Sequence, residues 1–250
     1  ALVLEKEHFI QAVSRADMLA HSEKLHRTLL DSISHELKTP IAVINAAVDG
    51  MSSLQSPYPA EITTATRRLQ RVVDSLLNMT RLESSVLQPR PDWCDLHDVI
   101  AAARQAAGPP LEKHPLRVHL ADDFPPVKFD HDLLTQALAN ILHNAAIYTP
   151  ESAAIEIRAC LDQDCLQVTV RDHGPGLPAG SEECVFEKFY RAKGAPAGGT
   201  GLGLAIARGF AQAMGGRCTA RNHPDGGAEF ELCFPGVSVF HTAEAHGPLL

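Results

Sequence analysis

Aromatic residues are scarce in this sequence, and long apolar runs are missing. Phe, Trp and Tyr together make up 5% of the 250 residues, with a single tryptophan. No apolar stretch approaches the roughly 20 residues that a helix needs to cross a bilayer. No charged-then-apolar leader with a small-residue cleavage site is present either. Positive charge is not in excess: 22 Lys and Arg against 30 Asp and Glu give a net charge of −8. That argues against a nucleic-acid-binding protein, which normally carries a basic face. The six cysteines, Cys94, Cys160, Cys165, Cys184, Cys218 and Cys233, form no C-x-x-C pair. Neither they nor the thirteen histidines show zinc-site spacing, and there is no H-E-x-x-H. A chain of this size does not need disulfides, so reduced thiols in a cytoplasmic protein are expected. The sequence begins with Ala1 rather than Met, inside a helix-like pattern. It is read as a fragment, any inner-membrane anchor lying in a missing upstream region.

Apolar residues reach 45%, enough for a substantial core. Two long helical patterns come first. Leu25, Leu29, Ile33, Leu37, Ile41, Ile44, Val48 and Met51 recur at spacings of three and four, one continuous stripe. Ser56-Pro57-Tyr58-Pro59 breaks the pattern. A second stripe runs through Leu69, Val72, Leu76, Met79 and Leu82, with Arg67, Arg68, Arg71 and Arg81 on the opposite face. Two helices with one stripe each make an antiparallel hairpin, and a lone hairpin leaves part of each stripe wet. Two hairpins in a four-helix bundle would cover them, which predicts a homodimer.

Pro89-Arg90-Pro91 marks a domain boundary. Beyond it, helices are expected over 96–106, 130–147 and 202–214, and a short one over 184–189. Strands are expected over 116–120, 155–159, 166–170, 217–221 and 228–234, the last two joined by Asp225-Gly226-Gly227. In the helix over 130–147, Leu133, Leu134, Ala137, Leu138, Ile141 and Leu142 are expected to face inward. The fold class is α+β: a helical hairpin forming a dimeric four-helix bundle, then an α/β sandwich with helices over one face of a largely antiparallel sheet. The segment after Pro235 has no periodicity and is expected to be mobile.

Four constellations carry chemistry. His35 in Ser34-His35-Glu36-Leu37-Lys38-Thr39-Pro40 lies about 200° around the helix from Ile33 and faces solvent. An exposed imidazole is largely neutral near neutral pH and can act as a nucleophile. Glu36 can polarise the other ring proton. Pro40 cannot donate to the carbonyl of Glu36, so a bend is expected one turn after His35. Asn140 and Asn144 share a helix face, and an amide oxygen is a suitable hard ligand for Mg²⁺. Asp172-His173-Gly174-Pro175-Gly176 ends a strand. Its glycines permit a planar ligand to approach, and its carboxylate can accept from the exocyclic amine of adenine. Gly198-Gly199-Thr200-Gly201-Leu202-Gly203-Leu204 opens a helix whose amides can meet phosphates. It is neither a dinucleotide fingerprint, which needs a strand immediately before it, nor a Walker loop, which needs Gly-Lys-Ser/Thr. Each has a plainer reading: a surface histidine, a polar helix edge, a free-standing turn, a flexible loop.

In this order the four segments resemble the conserved boxes of sensor histidine kinases of two-component systems. The resemblance spans about residues 20–235. It implies that His35 is phosphorylated, that Glu36 assists the transfer, and that Thr39 serves a phosphatase reaction on the partner response regulator. Residues 140–150 are similar to the asparagine box. Asn140 and Asn144 are then part of the nucleotide site, with Asn144 at the Mg²⁺-ligating position and Tyr148 near the base. Ile147 departs from the pattern, since many members carry a Lys there, and this shifts phosphate neutralisation to Arg191 and Lys193. Asp172, Gly174 and Gly176 match the adenine-binding box. Phe186-Glu187-Lys188-Phe189-Tyr190-Arg191 looks like the phenylalanine box, and Gly199, Thr200, Gly201, Leu202 and Gly203 like the second glycine box. The segment between would be a lid over ATP.

The resemblance implies a signalling helix over 1–20, a dimerisation and histidine phosphotransfer domain over 21–88, an ATP-binding domain of the GHKL (Bergerat) type over 92–236, and a tail over 237–250. It implies ATP- and Mg²⁺-dependent autophosphorylation on His35 and transfer to an aspartate of a response regulator. Leu4-Glu5-Lys6-Glu7-His8 and Leu30-Asp31-Ser32-Ile33-Ser34-His35 are similar to the sensor kinases that respond to potassium limitation. Two alternatives stay open: an ATPase of the same fold without a phosphoenzyme, and a degenerate kinase serving as a dimeric scaffold, which only Ile147 supports.

Overall fold

The computed structural model describes residues 41–44, 46, 58–83, 87–162, 165–192, 194–195 and 199–240. The chain divides into two compact units, Ala1–Asp74 with Gly198–Thr200, and Ser75–Ala197 with Gly201–Leu250. Most of the first apolar stripe lies outside the described residues.

In the first unit, residues 41–44 and 46 are helical. Helix α1 (Tyr58–Glu83) begins there, with Pro59 in its first turn, where a missing N–H costs nothing. Ala65, Val72 and Met79 are its buried positions, seven residues apart. Val72 and Met79 belong to the stripe expected from the sequence, whose Leu69, Leu76 and Leu82 are half-buried, while Ala65 was not part of it. Of the arginines assigned to the opposite face, Arg67 and Arg81 are exposed, while Arg68 and Arg71 are half-buried at its flank.

The last turns of α1, from Ser75 onward, belong to the second unit. Leu76, Met79 and Leu82 pack against that unit's core. Leu82 fills the space left by the missing side chain of Gly209, where a Cβ would lie 2.7 Å from its Cδ1. Polar contacts flank this packing: Asn78 Nδ2 donates to Gln136 Oε1 at 2.8 Å, and Lys188 Nζ donates to Glu83 Oε1 at 2.6 Å. So the end of the stripe assigned to the bundle meets the second unit's core.

The rest of the second unit is an α/β sandwich. Its elements are β1 (Asp92–Cys94), α2 (Leu96–Ala107), α3 (Pro109–Glu112), β2 (Leu116–His119), β3 (Val127–Phe129), α4 (His131–Tyr148), β4 (Ile155–Asp162), β5 (Cys165–Arg171), α5 (Gly203–Ala213), β6 (Arg217–Asn222) and β7 (Ala228–Pro235). A 3-10 turn spans Cys184–Phe186, shorter than the helix expected there. The main sheet runs β2-β4-β5-β7-β6, parallel between β2 and β4 and antiparallel elsewhere. In β5, Leu166, Val168 and Val170 are buried while Gln167, Thr169 and Arg171 point to the other face. That period of two makes one sheet face the core side. The helix α4 supplies Leu134, Ala137, Leu138, Ile141 and Leu142 to the core, whereas Leu133 is only half-buried.

Three features were not legible beforehand. The strands β1 and β3 pair as a separate antiparallel ribbon, and at three residues each they are too short to show a period. The helix α3 is a single turn starting with two prolines after Gly108 at φ 80°. The segment after Pro235 is pinned rather than loose as far as Phe240. Val239 bridges Val127, Ser238 O accepts from Lys128 N–H at 3.0 Å, and Phe240 stacks edge-on against Trp93 with ring centroids 5.5 Å apart. The edge of β3 offers free backbone groups, and these residues satisfy them.

One carboxylate ties the linker to the sandwich. Asp130 caps α4 by accepting from Leu133 N–H at 3.0 Å, and its other oxygen accepts from Arg90 N–H at 2.8 Å. Replacing Asp130 by Ala should lower the stability of the second unit by about 1–2 kcal/mol, the usual worth of such a cap. Asp130→Asn should recover most of it. Urea denaturation of the chain measures both, and an unchanged midpoint for Asp130→Ala would contradict the role.

Candidate functional site

A cavity of about 530 Å³ opens where α4, the loop after β5 and the start of α5 meet. Asn144, Ile147 and Tyr148 come from α4, with a spacing that puts them on one side of its last turns. Asp172 and the 175–178 loop form a second wall. Val185, Leu204, Ala228 and Phe230 give it an apolar floor, and Tyr190, Arg191, Ala192, Gly194 and Ala195 form the lip.

Asp172 is the most constrained polar group of the site. It is 3% exposed. Its Oδ1 accepts from the Gly174 N–H at 2.9 Å and the Ala228 N–H at 3.0 Å, while its own N–H donates to Ala228 O at 2.9 Å. Both side-chain bonds fall on one oxygen, which leaves Oδ2 for the cavity. Burial pushes the carboxyl above the usual Asp range, and the two amide bonds pull the other way without cancelling it.

The backbone around Asp172 requires glycine at specific points. Gly227 has φ 83°, and a Cβ there would lie 1.9 Å from Asp172 O. A Cβ on Gly174 would lie 2.8 Å from Tyr148 O, so this glycine lets the loop close against the end of α4. Asn222, at the end of β6, clamps the loop by accepting from Leu177 N–H at 2.6 Å and donating to Leu177 O at 2.9 Å.

The end of α4 is held from behind. His114 is buried between two carbonyls, with Nε2 3.1 Å from Ala146 O and Nδ1 3.1 Å from Ala153 O. Tyr148 is half-buried, and burial chiefly raises its phenol above the usual range while Arg191 opposes the shift. On the far wall, Phe189 adopts φ 64° and donates its N–H to Gly201 O at 3.0 Å. Gly201 has φ 69°, and a Cβ there would lie 2.7 Å from the Phe189 carbonyl carbon. The two segments, Phe186–Arg191 and Gly201–Leu204, are thereby locked together. Arg208 adds a brace, its guanidinium 3.7 Å from the Phe186 ring centroid and 2.8 Å from Glu183 Oε2.

The residues singled out from the sequence therefore divide. Asn144, Tyr148, Asp172, Gly176 and Arg191 line the cavity. Gly174 and Gly201 shape its backbone, and Asn140 lies behind the start of α5, its Oδ1 3.6 Å from a Cβ placed on Gly203. Leu202 is fully buried, so only its backbone could meet a ligand. Gly199 and Thr200 belong to the other compact unit. His35, Glu36, Thr39 and Lys193 lie outside the described residues. Sequence reasoning missed Asn222, Gly227, His114 and the apolar floor. Gly226-Gly227 was legible as a turn, but its proximity to Asp172 was not, and nothing local marks Asn222 or His114.

Two family matches bear on this geometry. Residues 25–85 match the His Kinase A (phospho-acceptor) domain, and residues 129–238 match the histidine kinase-, DNA gyrase B-, and HSP90-like ATPase domain. The chain belongs to the sensor histidine kinases. Among its relatives, the sensor protein KdpD of Escherichia coli is 33% identical over 98% of this chain and 28% of that protein. KdpD of Mycobacterium tuberculosis is 28% identical over 90% of this chain and 28% of that protein. The chain thus spans less than a third of these sensor kinases. The Acinetobacter baumannii histidine kinase AdeS has the same fold, with a TM-score of 0.63 at 21% identity over 80% of this chain and 97% of that one. The ATPase domain of the sensor kinase contains the cavity with Asp172. Among the described residues, no helix is long and apolar enough to cross a membrane.

The adjacent glycines of the β6–β7 turn separate strain from site disruption. Gly226 also has a positive φ, 92°, but a Cβ there would meet nothing within 4 Å. Gly226→Ala should cost about 1–2 kcal/mol of stability, the penalty of the left-handed conformation, and leave nucleotide affinity unchanged. Gly227→Ala must push Asp172 aside and should weaken binding of a fluorescent ATP analogue at least ~10-fold, about 1.4 kcal/mol. Equal affinities for the two variants would refute the assigned role of Gly227.

Proposed function

We propose that this chain binds ATP in the cavity beside Asp172, phosphorylates itself on His35, and passes the phosphoryl group to an aspartate of a response regulator. The single observation that carries the nucleotide half is the buried Asp172, fixed through Oδ1 with Oδ2 left toward the cavity. An ionised carboxylate only accepts hydrogen bonds, so Oδ2 favours a base with an exocyclic amine at its edge. Adenine has one; guanine presents a carbonyl at that position. Gly174 and Gly176 allow the base to approach the backbone, Val185 and Phe230 supply an apolar bed, and Tyr148 closes one edge.

Arg191 and Lys193 neutralise the phosphates, a role that Ile147 cannot take. The amides of Gly199, Thr200, Gly201 and Gly203 are the further phosphate donors. The donor set fits Mg²⁺: Asn144 offers one neutral hard oxygen, and this ion keeps most of its shell as waters and phosphate oxygens. When bound, it would supply charge neutralisation at the phosphates. Phosphoryl transfer is mostly positioning and charge stabilisation. In the transfer step a ring nitrogen of His35 forms the bond to the γ-phosphorus as the bond to the ADP oxygen breaks, and Glu36 holds the other ring N–H. Thr39, four residues on in the sequence, would orient water for dephosphorylating the regulator.

The segment division is part of this proposal: 1–20 a signalling helix, 21–88 the dimerisation and phosphotransfer domain, 92–236 the ATP-binding domain, 237–250 the tail. So are the homodimer, built on paired hairpins, and a cytoplasmic position below an upstream sensor region. The similarity to the KdpD sensor proteins supports reading the chain as one of the potassium-responsive sensor kinases.

Two measurements test this. Incubation with γ-labelled ATP should give acid-labile label on the chain, and His35→Gln should abolish it while leaving ATP binding within about 2-fold, roughly 0.4 kcal/mol. Label on the His35→Gln chain would displace the acceptor assignment; a chain that hydrolyses ATP and never becomes labelled would favour the plain ATPase.

The second measurement is a pH profile. Because the Asp172 carboxyl is raised by burial, it takes up a proton at a higher pH than an exposed Asp. The protonated acid loses acceptor capacity, so ATP affinity should fall as pH drops from neutral into the mildly acidic range. In Asp172→Asn affinity should be lower throughout, by about 10–100-fold or 1.4–3 kcal/mol, and this pH dependence should vanish. A variant that keeps the parent's pH profile would remove Asp172 from base recognition.

A further inference from the structure

A second chemical site lies on the outer face of the sheet. Cys165 Sγ and Cys233 Sγ are 3.0 Å apart. The pair is diagonal in the β5–β7 ladder, where Cys165 is opposite Pro235 and Gln167 is opposite Cys233. Cys165 sits at the first position of β5 and is partly exposed, while Cys233 is buried. The sulfurs are only about 1 Å farther apart than in a disulfide, whose bond is about 2 Å. Neither thiol has a role in the nucleotide site. Among the described residues, no group of three or more His, Cys, Asp or Glu side chains could hold a metal ion.

We propose that Cys165 and Cys233 are a dithiol oxidation site that a low-molecular-weight disulfide closes into an intramolecular bridge. Cys165 reacts first because its sulfur is reachable. It gives up its proton and attacks one sulfur of the small disulfide, forming a mixed disulfide and releasing one small thiol. Cys233 then attacks the Cys165 sulfur, its proton leaving with the second small thiol. Two protein thiols are oxidised by two electrons, and one small disulfide is reduced to two thiols. Burial first, and then Cys165, pushes the Cys233 thiol up to about 11, so Cys165 and not Cys233 makes the first attack.

The position in the fold sets the consequence. Asp172 follows the opposite end of β5, seven residues from Cys165, or about 23 Å along an extended strand. The bridge joins two central strands whose cysteines are far apart in sequence, so it staples the unfolded chain more than it alters the site. Oxidised chain should resist urea unfolding better than reduced chain while binding ATP equally well. This inference does not rest on the kinase reading.

The test uses the full chain with oxidised glutathione as the probe, followed by thiol alkylation and peptide mass spectrometry. The expected product is a cross-linked peptide pair containing Cys165 and Cys233, lighter by two hydrogens, removed by dithiothreitol. Cys165→Ser and Cys233→Ser should each abolish it, and Cys160→Ser should not. The urea midpoint should rise on oxidation of the parent and stay put in both serine variants. An ATP-analogue affinity within about 2-fold of the reduced chain is expected. Arrest at the mixed disulfide, pairing of Cys165 with Cys160, or a bridge between two chains would overturn the proposal, as would an oxidised chain with no gain in urea resistance.

Discussion

The carboxylate of Asp172 is buried at the end of a central strand, and much of the ATPase domain's geometry follows from keeping it there. A buried charge costs several kcal/mol unless its hydrogen-bonding capacity is met. Two backbone amides, from Gly174 and Ala228, meet half of it through one oxygen. Those amides reach it only because the chain turns sharply at Gly174 and because Gly227 has no Cβ to strike Asp172 O. The β5–β7 pairing brings Ala228 alongside in the first place. The unmet half leaves Oδ2 as an acceptor on the cavity wall.

The rest of the site is a set of backbone locks around that fixed point. Asn222 pairs with both the N–H and the C=O of Leu177, acting as a substitute strand for a loop that has none. Phe189 and Gly201, both at positive φ, hold the phenylalanine segment against the start of α5. His114 sits between the Ala146 carbonyl of α4 and the Ala153 carbonyl that precedes β4. Each lock uses few residues, and each fixes a wall rather than touching the cavity itself. Such supports let the walls keep their spacing, while in the lip Ala192, Gly194 and Ala195 are small beside Tyr190 and Arg191.

The end of α1 shows one apolar stripe packing outside its own helical unit. Ala65 and Val72 are buried in the part of the helix that groups with the first unit, and Met79 with Leu76 and Leu82 in the part that groups with the second. The stripe itself was visible as a period of three and four. Its division between two packing environments was not, because apolar periodicity says which face is buried and never against what. Gly209 on α5 is the residue that makes room for Leu82 in the second environment.

Residue periodicity and motif spacing were enough to read the order of elements and the candidate site. The strands β4, β5, β6 and β7 and the helices α2, α4 and α5 follow from periods of two and of three to four, sustained over enough residues to be read. The cavity-lining residues Asn144, Tyr148, Asp172 and Gly176 were legible as candidates because unusual residue types, side-chain amides and clustered glycines, stood at fixed spacings in segments whose order matches a known family. The three-residue strands β1 and β3 and the pinned residues 236–240 carry too few positions for any period. Only the tertiary structure decided what supports the site, since Asn222, Gly227, Ala228 and His114 are ordinary residues until the sheet register and the packing of α4 bring them within 3 Å or so of their partners. Local sequence records what a side chain can do. Which group lies opposite it is set by pairings between strands and helices far apart in the chain, and those depend on the whole fold at once.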